Sequence, residues 1–256
     1  MRLEFLGTRG STPISGQGYA MFGGSTACVR VISGKEEIYL DAGTGIVSAR
    51  PEKDTNISVL FSHMHLDHIE GLPFFSALGQ KGRGIRLYGK RREGASVADI
   101  LDSIFTPPFW PVGLSDYPAD ITVSDLPRTL TIGNVKITHM ESDHPGGSTI
   151  YRLDEGNSSF VYATDFEHGK HTKDLIEFSK GASLIAYDGQ YDEDEYDDYR
   201  GFGHSTASVG KDIAWRAGAK KVCIIHHSPA HNDEALLKME RAAGIHFVRC
   251  GESTTV

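Results

Sequence analysis

Four side chains of types that bind metals are concentrated in one short segment, as His63, His65, Asp67 and His68. The segment follows Ile57–Ser62, a near-continuous apolar run typical of a strand buried on both faces. Because strand side chains alternate between faces, we expect His63 and His65 to point the same way before the chain turns into a helix. Imidazole and carboxylate groups suit Zn²⁺, and also Mn²⁺ or Fe²⁺. The His-x-His-x-Asp-His spacing therefore predicts a site for two neighbouring divalent cations.

The apolar patterning around this segment divides the chain into two blocks of strands, each with helices toward its end. The first block has predicted strands at Leu3–Leu6, Cys28–Ile32, Glu37–Leu40, Ile57–Ser62 and Ile85–Tyr88, helices at Ile69–Leu78 and Ala95–Ile104, and a loop at Thr106–Asp120. The second block has predicted strands at Val135–Met140, Thr149–Leu153, Phe160–Ala163, Leu184–Tyr187, Val222–Ile225 and Ile245–Val248, and helices at Lys173–Ser179, Thr206–Ala217 and Asn232–Ala243. This order predicts a single domain over residues 1–256 with an αββα sandwich fold, in which two mixed sheets are flanked by helices.

The His-x-His-x-Asp-His segment resembles the signature of the metallo-β-lactamase superfamily, whose fold is an αββα sandwich. The segment Leu40–Gly43 resembles the first motif of that family, in which the aspartate, here Asp41, is mainly structural. His144, Asp165 and His226 match the histidine of the third motif, the bridging carboxylate and the last ligand histidine. Each of these three residues follows a predicted strand, as a shared rim of the two sheets requires.

The resemblance implies a metal centre with two divalent ions, with Zn²⁺ as the first expectation and Mn²⁺ or Fe²⁺ as alternatives. It implies that one ion is held by His63, His65 and His144. The second ion would be held by Asp67, His68 and His226, and Asp165 would bridge the two. His227 is left open as an alternative to His226, because a strand directs adjacent side chains to opposite faces.

The segment Gly203–Thr206 distinguishes between branches of the superfamily. It resembles the His-Ser-Thr motif of the RNase Z branch, which includes cyclic nucleotide and cyclic phosphonate phosphodiesterases. The segment Ile225–Pro229 resembles a second element of that branch. In that branch the histidine that corresponds to His204 lies near the scissile phosphate. Helix capping by Ser205 is the alternative interpretation, but it does not account for His204.

The resemblance therefore implies a dinuclear phosphodiesterase that acts on a small phosphodiester, cyclic diesters included. A hydroxide bridging two ions about 3.5–4 Å apart would attack phosphorus in line. His204 would stabilise the developing charge or protonate the leaving oxygen, and Asp67 would orient the nucleophile as well as bind metal. A thioesterase or lactonase of the same fold, similar to glyoxalase II, is the first alternative, and an RNA-processing endonuclease is the second.

Two observations disfavour long nucleic acid as the partner. Asp165 follows His144 by 21 positions, which leaves room for a hairpin but not for the exosite arm that RNase Z carries there. Residues 188–198 contain seven acidic side chains, without which the net charge of −8 would be −1. This run can repel a polyanion near the mouth of the site, or it can be an ordinary solvated loop. A small-molecule phosphodiester is therefore the expected partner.

Composition bears on the location of the protein. The 26 basic and 34 acidic residues argue against a protein that coats nucleic acid or an anionic membrane. No apolar run is long enough to cross a bilayer, and the first residues lack the apolar core of a signal peptide. Cys28, Cys223 and Cys250 show no disulfide or metal spacing, so we expect buried thiols. These features predict a cytoplasmic protein without membrane contact, and they leave a homodimer open.

Two further segments each have alternative interpretations. The loop Gly7–Ser11, which includes Arg9, can present backbone N–H groups to a phosphate or can form a plain turn. The segment Phe105–Val112 contains three prolines and three aromatic residues. It can wall a substrate pocket, form a dimer contact, or serve in packing alone.

Overall fold

Fourteen strands and four helices make up the structure, a computed structural model that describes residues Met1–Val256. The strands are β1 (Arg2–Gly7), β2 (Cys28–Ser33), β3 (Glu36–Leu40), β4 (Asn56–Leu60), β5 (Gly84–Gly89), β6 (Asp120–Asp125), β7 (Leu130–Ile132), β8 (Val135–Ser142), β9 (Ser148–Glu155), β10 (Ser158–Ala163), β11 (Leu184–Asp188), β12 (Val222–Ile225), β13 (His246–Phe247) and β14 (Ser253–Thr255). The helices are α1 (Val97–Ile104), α2 (Thr172–Phe178), α3 (Ala207–Ala217) and α4 (Asp233–Ala243). None of these helices has the length and apolar character that crossing a membrane requires.

The strands form two seven-stranded mixed sheets. The first sheet has the order β14-β1-β2-β3-β4-β5-β6, and the second has the order β13-β12-β11-β10-β9-β8-β7. Strands β3 to β6 are parallel, as are β10 to β13, whereas the other neighbours are antiparallel. The chain crosses from the first sheet to the second between Asp125 and Leu130, and only β14 returns. Because parallel strands run in the same direction, their carboxyl ends line one edge of each sheet.

Apolar side chains from both sheets meet in a central core, to which Leu40 of the first sheet and Tyr151 of the second belong. A second buried cluster covers the outer face of the first sheet and includes Leu101 of α1. A third covers the outer face of the second sheet with Ile213 of α3 and Leu236 of α4. Each such buried aliphatic side chain contributes roughly 1.5–3 kcal/mol. The layers follow the order helix, sheet, sheet, helix, as predicted.

The structure corrects several of the predicted elements. Ile69–Leu78 is not one helix but contains two short 3₁₀ turns, at Leu72–Phe74 and Ser76–Gly79. Pro73 lacks the backbone N–H that a continuous helix would use, and the backbone becomes extended at Phe75, between the two turns. Strand β4 ends at Leu60 rather than Ser62. Strands β6, β7 and β14, of which the last two have three residues each, are not expected from the apolar pattern.

Candidate metal centre

A left-handed backbone conformation occurs where three strands end at the candidate site. Asp41 follows β3 with φ 63°, Asp165 comes two residues after β10 with φ 52°, and His226 follows β12 with φ 62°. Residues other than glycine rarely adopt this conformation, which costs about 1–2 kcal/mol each. Only five such residues occur in the chain, and three of them lie here. The backbone is therefore held in a costly conformation where it turns these side chains toward the rim of the sheets.

The segment that carries His63 and His65 lies in an irregular loop after β4, not on the strand. The expectation of strand alternation for these residues is therefore wrong, although their rings still converge, with centroids 4.3 Å apart. Leu66–His68 then forms a 3₁₀ turn instead of opening a helix, and this turn buries Asp67 and His68.

Three histidines, His63, His65 and His144, bring their ring nitrogens together in what we call the first triad. His144 Nε2 lies 3.1 Å from His65 Nδ1. The Nδ1 atom of His144 lies 3.1 Å from the backbone oxygen of Gly203 and can donate to it, which leaves Nε2 available to bind a metal ion. Gly203 has φ 90°, and a Cβ at this position would lie 2.2 Å from His144 Nδ1. Only glycine fits here, so the segment before His204 packs directly against the first triad.

Asp67, His68 and His226 form a second triad of buried side chains. Asp67 Oδ2 lies 3.2 Å from His68 Nε2 and 3.5 Å from His226 Nε2. Asp67 Oδ2 also accepts a hydrogen bond from the backbone N–H of Ser11, at 2.8 Å. Each triad takes two side chains from the loop after β4 in the first sheet and one from the second sheet.

Asp165 lies between the two triads. Its Oδ1 atom is 3.7 Å from Nε2 of both His63 and His144. Its Oδ2 atom is 3.2 Å from His68 Nε2 and 3.4 Å from His226 Nε2. One carboxylate oxygen thus faces each triad, which is the arrangement a bridging ligand needs.

The hydrogen bonding of this cluster fits a group of divalent cations. Nε2 of His63, His68 and His226 is buried and has no hydrogen-bond partner. Buried polar atoms are normally satisfied, because an unpaired one costs free energy. Imidazole nitrogens and carboxylate oxygens are donors that Zn²⁺, Mn²⁺ and Fe²⁺ accept. The seven side chains that the sequence predicts as ligands therefore converge on a space whose donor atoms suit metal ions.

Charges within the cluster are strongly coupled. Burial alone would lower the pKa of His226, but Asp165, Asp188 and Asp67 outweigh burial and raise it to about 9. Burial favours the neutral form of Asp165, yet His226 and His68 are among the groups that hold its pKa well below the usual range. In the first triad burial is the main cause that lowers the pKa of each histidine. Neutral imidazole is the form that binds metal.

Asp41 is hydrogen-bonded to the segment that carries the cluster and so orients it. Its Oδ1 accepts the backbone N–H of Ser62 at 2.6 Å, and its Oδ2 accepts Nδ1–H of His68 at 2.8 Å. Tyr162 also donates its hydroxyl to Oδ2, at 3.0 Å. A carboxylate on Nδ1 fixes the tautomer and the ring orientation of His68, so that Nε2 faces Asp165. This position agrees with the structural role that the resemblance implies for Asp41.

The two adjacent histidines after β12 have different environments. His226 faces Asp67 and Asp165, and a Cβ at Gly10 would lie 2.3 Å from its ring, so the loop Gly7–Ser11 presses against it. His227 instead lies in the core, where its Nε2 can donate to the Val248 oxygen at 2.8 Å. The ring of His227 stacks on Phe247. The structure therefore places His226, and not His227, in the second triad.

His204 lies at the edge of both triads and pairs with a residue that the sequence does not single out. Its ring centroid is 5.2 Å from that of His144 and 4.9 Å from that of His226. Its Nδ1 lies 2.8 Å from Oδ2 of Asp188, which is fully buried as the last residue of β11. Sequence reasoning places Asp188 in the acidic run, and this assignment is wrong. Its position at the end of a strand between two site strands is the signal that could have identified it.

The remaining acids of the run have other contacts. Glu193 accepts the backbone N–H of Ser208 at 3.0 Å and so caps α3, and Glu195 lies 2.9 Å from Nε2 of His231. Asp194, Asp197 and Asp198 are exposed. This part of the run therefore combines helix capping with solvated carboxylates.

Arg9 in the loop Gly7–Ser11 is buried, and its guanidinium hydrogen-bonds to backbone oxygens of the protein. Its Nη1 donates to the backbone oxygens of Ser228 and His231 at 2.9 and 2.8 Å, and its Nε donates to Gly23 at 2.8 Å. These contacts tie the loop to the segment after His226. The guanidinium does not face the cluster as a phosphate contact would require.

An αββα sandwich with clustered histidines and aspartates at the rim of its sheets defines the metallo-β-lactamase class of hydrolase. The sequence model of the family described as "Beta-lactamase superfamily domain" matches residues 36–227, and the chain belongs to that superfamily. The fold of this family implies divalent metal cofactors. The expected family, fold class and enzyme class, a metal-dependent hydrolase, are confirmed.

Proteins named RNase Z or described as having a metallo-β-lactamase fold are similar to this chain. Ribonuclease Z of Haloarcula marismortui is 22% identical over 284 aligned positions, which cover 89% of this chain and 86% of that protein. The metallo-β-lactamase-fold protein YhfI from Bacillus subtilis superposes with a TM-score of 0.75 at 20% identity, covering 99% of this chain and 98% of that one. The short form of human tRNase Z superposes with a TM-score of 0.72 at 15% identity, covering 100% of this chain and 99% of that one. The chain is thus similar to RNase Z over most of its length.

Proposed function

We propose that the protein is a dinuclear metal-dependent phosphodiesterase that acts on a small phosphodiester, cyclic diesters included. The observation that carries this proposal is the pair formed by His204 and Asp188 beside two triads joined by Asp165. A dinuclear hydrolase of any kind needs the triads. A histidine held by a buried carboxylate at their edge is what phosphate ester cleavage adds, because the leaving oxygen must acquire a proton.

The seven converging side chains would hold the two ions. His63, His65 and His144 would bind the first, Asp67, His68 and His226 the second, and Asp165 would contact both. Zn²⁺ is the first expectation, with Mn²⁺ and Fe²⁺ as alternatives. Bound divalent cations supply a nucleophile near neutral pH and neutralise charge on the phosphoryl oxygens.

His204 would deliver the proton to the leaving oxygen or stabilise the charge that develops there. The Asp188 carboxylate accepts Nδ1–H of His204, which fixes the tautomer and the orientation of the ring. Asp67 would orient the nucleophile as well as bind metal. Contacts from His68, His226 and the N–H of Ser11 hold its Oδ2 in one position.

A small substrate is favoured by the connection between His144 and Asp165. This connection contains only β9 and β10, joined by a two-residue turn at Gly156 and Asn157, so no arm projects there. RNA is the second candidate substrate, because the curated relatives carry the name ribonuclease Z over most of the chain.

The test is a metal-dependent assay with bis-p-nitrophenyl phosphate, with Zn²⁺ and Mn²⁺ supplied separately and metal content measured. We expect turnover that needs metal. With a cyclic nucleotide, whose alkoxide leaving group needs a proton, the rate should fall about 10²- to 10⁴-fold in His204→Ala, and the fall should be smaller for the p-nitrophenolate leaving group. Asp67→Ala should lose both metal and activity. The control is His246→Ala, which removes an exposed histidine far from the triads and should retain parental activity.

Several outcomes would contradict the proposal. If two metals bind but no diester is cleaved, or if His204→Ala is as active as the parent, a thioesterase or lactonase becomes the better hypothesis. Thioesters and lactones are then the substrates to assay. If a folded RNA is cleaved with a higher kcat/KM than the small diester, the RNA-processing alternative is favoured instead.

A further inference from the structure

An apolar cavity of about 460 Å³, here called the aromatic pocket, opens beside the metal centre. Its hydrophobic lining consists of Leu66, Ile69, Ile104, Phe105, Phe109 and Trp110. Four of these residues come from the end of α1 and the segment that follows it. Cavities of roughly 300–1,000 Å³ with mainly apolar walls are the usual size of small-molecule sites.

The indole of Trp110 is held in place by a chain of contacts. Its Nε1 donates to the hydroxyl of Tyr117 at 3.0 Å, and that hydroxyl donates to the backbone oxygen of Pro73 at 3.2 Å. The ring of Phe74 meets the indole edge to face, with centroids 5.2 Å apart. The indole is therefore held in one orientation before any ligand arrives, which lowers the entropy that binding must overcome.

Apolar surface at the mouth of the pocket is left open to solvent. Phe109 is 78% exposed and Leu66 is 64% exposed. Exposed apolar groups that border a cavity commonly mark a place where a ligand or partner binds. This apolar surface is therefore accessible to a ligand.

The pocket borders the segment that carries four of the predicted metal ligands, because Leu66 lines it. Leu66 lies between His65 of the first triad and Asp67 of the second, so its Cα is about 3.8 Å from the Cα of each along the chain. Glu70, two residues after His68, also lines the pocket. These two lining residues place the pocket next to the loop that carries the triads.

We propose that the aromatic pocket binds an aromatic ester arm of the substrate while the phosphodiester lies at the metal centre. This inference rests on the proposed phosphodiesterase function and narrows it to diesters in which the arm that stays on phosphorus is uncharged and aromatic, while the leaving arm faces His204. The lining favours such an arm because its polar side chains are only Glu70 and Ser103, and the Glu70 carboxylate repels an anionic arm. Contacts between a ligand ring and the Phe109 and Trp110 rings supply affinity.

The kinetic test compares phenyl p-nitrophenyl phosphate with methyl p-nitrophenyl phosphate, which share a leaving group and differ in the other arm. We expect the ratio of their kcat/KM values to fall about 5- to 10-fold in Phe109→Ser, as the loss of one aromatic contact predicts. Phe109 is mostly exposed, so this change does not threaten the fold. Trp215→Ser, at an 80% exposed tryptophan of α3, is the control and should keep the parental ratio. An unchanged ratio in Phe109→Ser, with diester turnover intact, overturns the pocket inference but not the phosphodiesterase.

A binding test needs no turnover and separates the two proposals. The chain has two tryptophans, so Trp215→Phe leaves Trp110 as the only one. We expect phenylphosphonate to change Trp110 emission saturably, methylphosphonate to leave it unchanged, and Phe109→Ser to weaken phenylphosphonate binding. If phenylphosphonate saturates the site while no diester is ever cleaved, the phosphodiesterase fails and aromatic binding by the pocket stands.

A second copy of the chain is the competing occupant. It would make Trp110 emission depend on protein concentration without ligand. Sedimentation would then show a dimer that Phe109→Ser dissociates. That pair of results overturns the proposal and assigns the pocket to a dimer interface.

Discussion

Asp188 is the residue through which the proposed role of His204 can be tested most directly. Asp188→Asn keeps the size of the side chain but removes the charge that Nδ1–H of His204 donates to. We expect kcat to fall on the order of 10²-fold or more, because the imidazole loses the hydrogen bond that fixes its tautomer and orientation. Steady-state kinetics combined with metal analysis checks this, since the metal content should stay near the parental level.

Asp194→Asn is the matched control for Asp188, because it neutralises an exposed carboxylate of the same acidic run. Its activity should equal that of the parent. Equal losses in the two variants would mean that the run acts through its overall charge, and the specific pairing with His204 would be refuted.

The adjacent histidines after β12 allow a second comparison at single residues. We expect His226→Ala to lose one bound metal, because the second triad then lacks one of its three side chains. His227→Ala should keep both metals but lose at least about 2 kcal/mol of stability, since it leaves the Val248 oxygen unpaired and a cavity beside Phe247. Metal analysis and urea unfolding measure the two effects, and interchanged results would contradict the assignment.

The sequence predicts most of the individual site residues because they follow recognisable strands. Residues such as His144, Asp165 and His226 follow apolar runs, and strands of one direction deliver such residues to one edge. Asp188 also ends a strand, but six further acids follow it within ten residues, and that pattern is typical of a solvated loop. The acids that follow therefore mask the strand-end position of Asp188, and its burial, which depends on contacts far away in the sequence, distinguishes it from them in the structure.

Among the elements, strands β1 to β3 are joined by ion pairs and hydrogen bonds around Glu37. We expect this network to make the stability of the fold depend on pH in the acid range. Arg30 of β2 donates to Glu37 of β3 at 2.9 Å and to Glu4 of β1 at 2.8 Å. Glu37 also accepts hydrogen bonds from Tyr39 and Thr55, both at 2.7 Å. Burial would raise the pKa of Glu37, but these donors outweigh burial and hold its pKa below the ordinary 4.5.

A carboxyl group with a depressed pKa stabilises the fold above its unfolded pKa, and the contribution is lost as the pH falls through the folded value. We therefore expect Glu37→Gln to lower the free energy of unfolding by about 3 kcal/mol at neutral pH. The difference in unfolding free energy between parent and variant should shrink as the pH falls from 4.5 toward the lower pKa of folded Glu37, because the parent then loses the same charge. Urea unfolding of the parent and the variant, at neutral pH and again below pH 4.5, measures this difference. The control is Glu52→Gln, which changes an exposed glutamate. A deficit independent of pH would contradict the role of the charge.

The elements that the sequence does not predict are those whose stability comes from distant partners. Strands β7 and β14 have three residues each and exist because β8 and β1 present edges to them. The region Ile69–Leu78 has helical apolar spacing, but Gly71 and Pro73 interrupt it, and packing against the first sheet then favours two short turns. Local pattern alone cannot report either effect.

For the whole molecule, the metal centre should contribute to global stability, because its ligands come from both sheets. Cations that bind only the folded state at 1,000 times their dissociation constant add about 4 kcal/mol. We expect chelation to lower Tm by on the order of 5–10 °C and added Zn²⁺ to restore it. His246→Ala should show the full shift, whereas His226→Ala should show a smaller one. An unchanged Tm after verified metal removal would argue that the two sheets need no metal to stay together.

The sandwich as a whole is predictable in class but not in detail. Two blocks of apolar segments predict two sheets, and the helices that follow each block predict a helical layer on the outside of each sheet. The return of β14 to the first sheet depends on edge pairing across almost the full chain, which no local window records.

The chain completes six strands of one sheet before it starts the other, and each triad draws on both. Neither half alone can offer a cation more than two side chains of a triad. A chain cut between Asp125 and Leu130 would therefore yield two fragments that become a complete chelate only on reassembly. The cation would then act as a reporter of fragment complementation, bound tightly when the halves meet and released when they part.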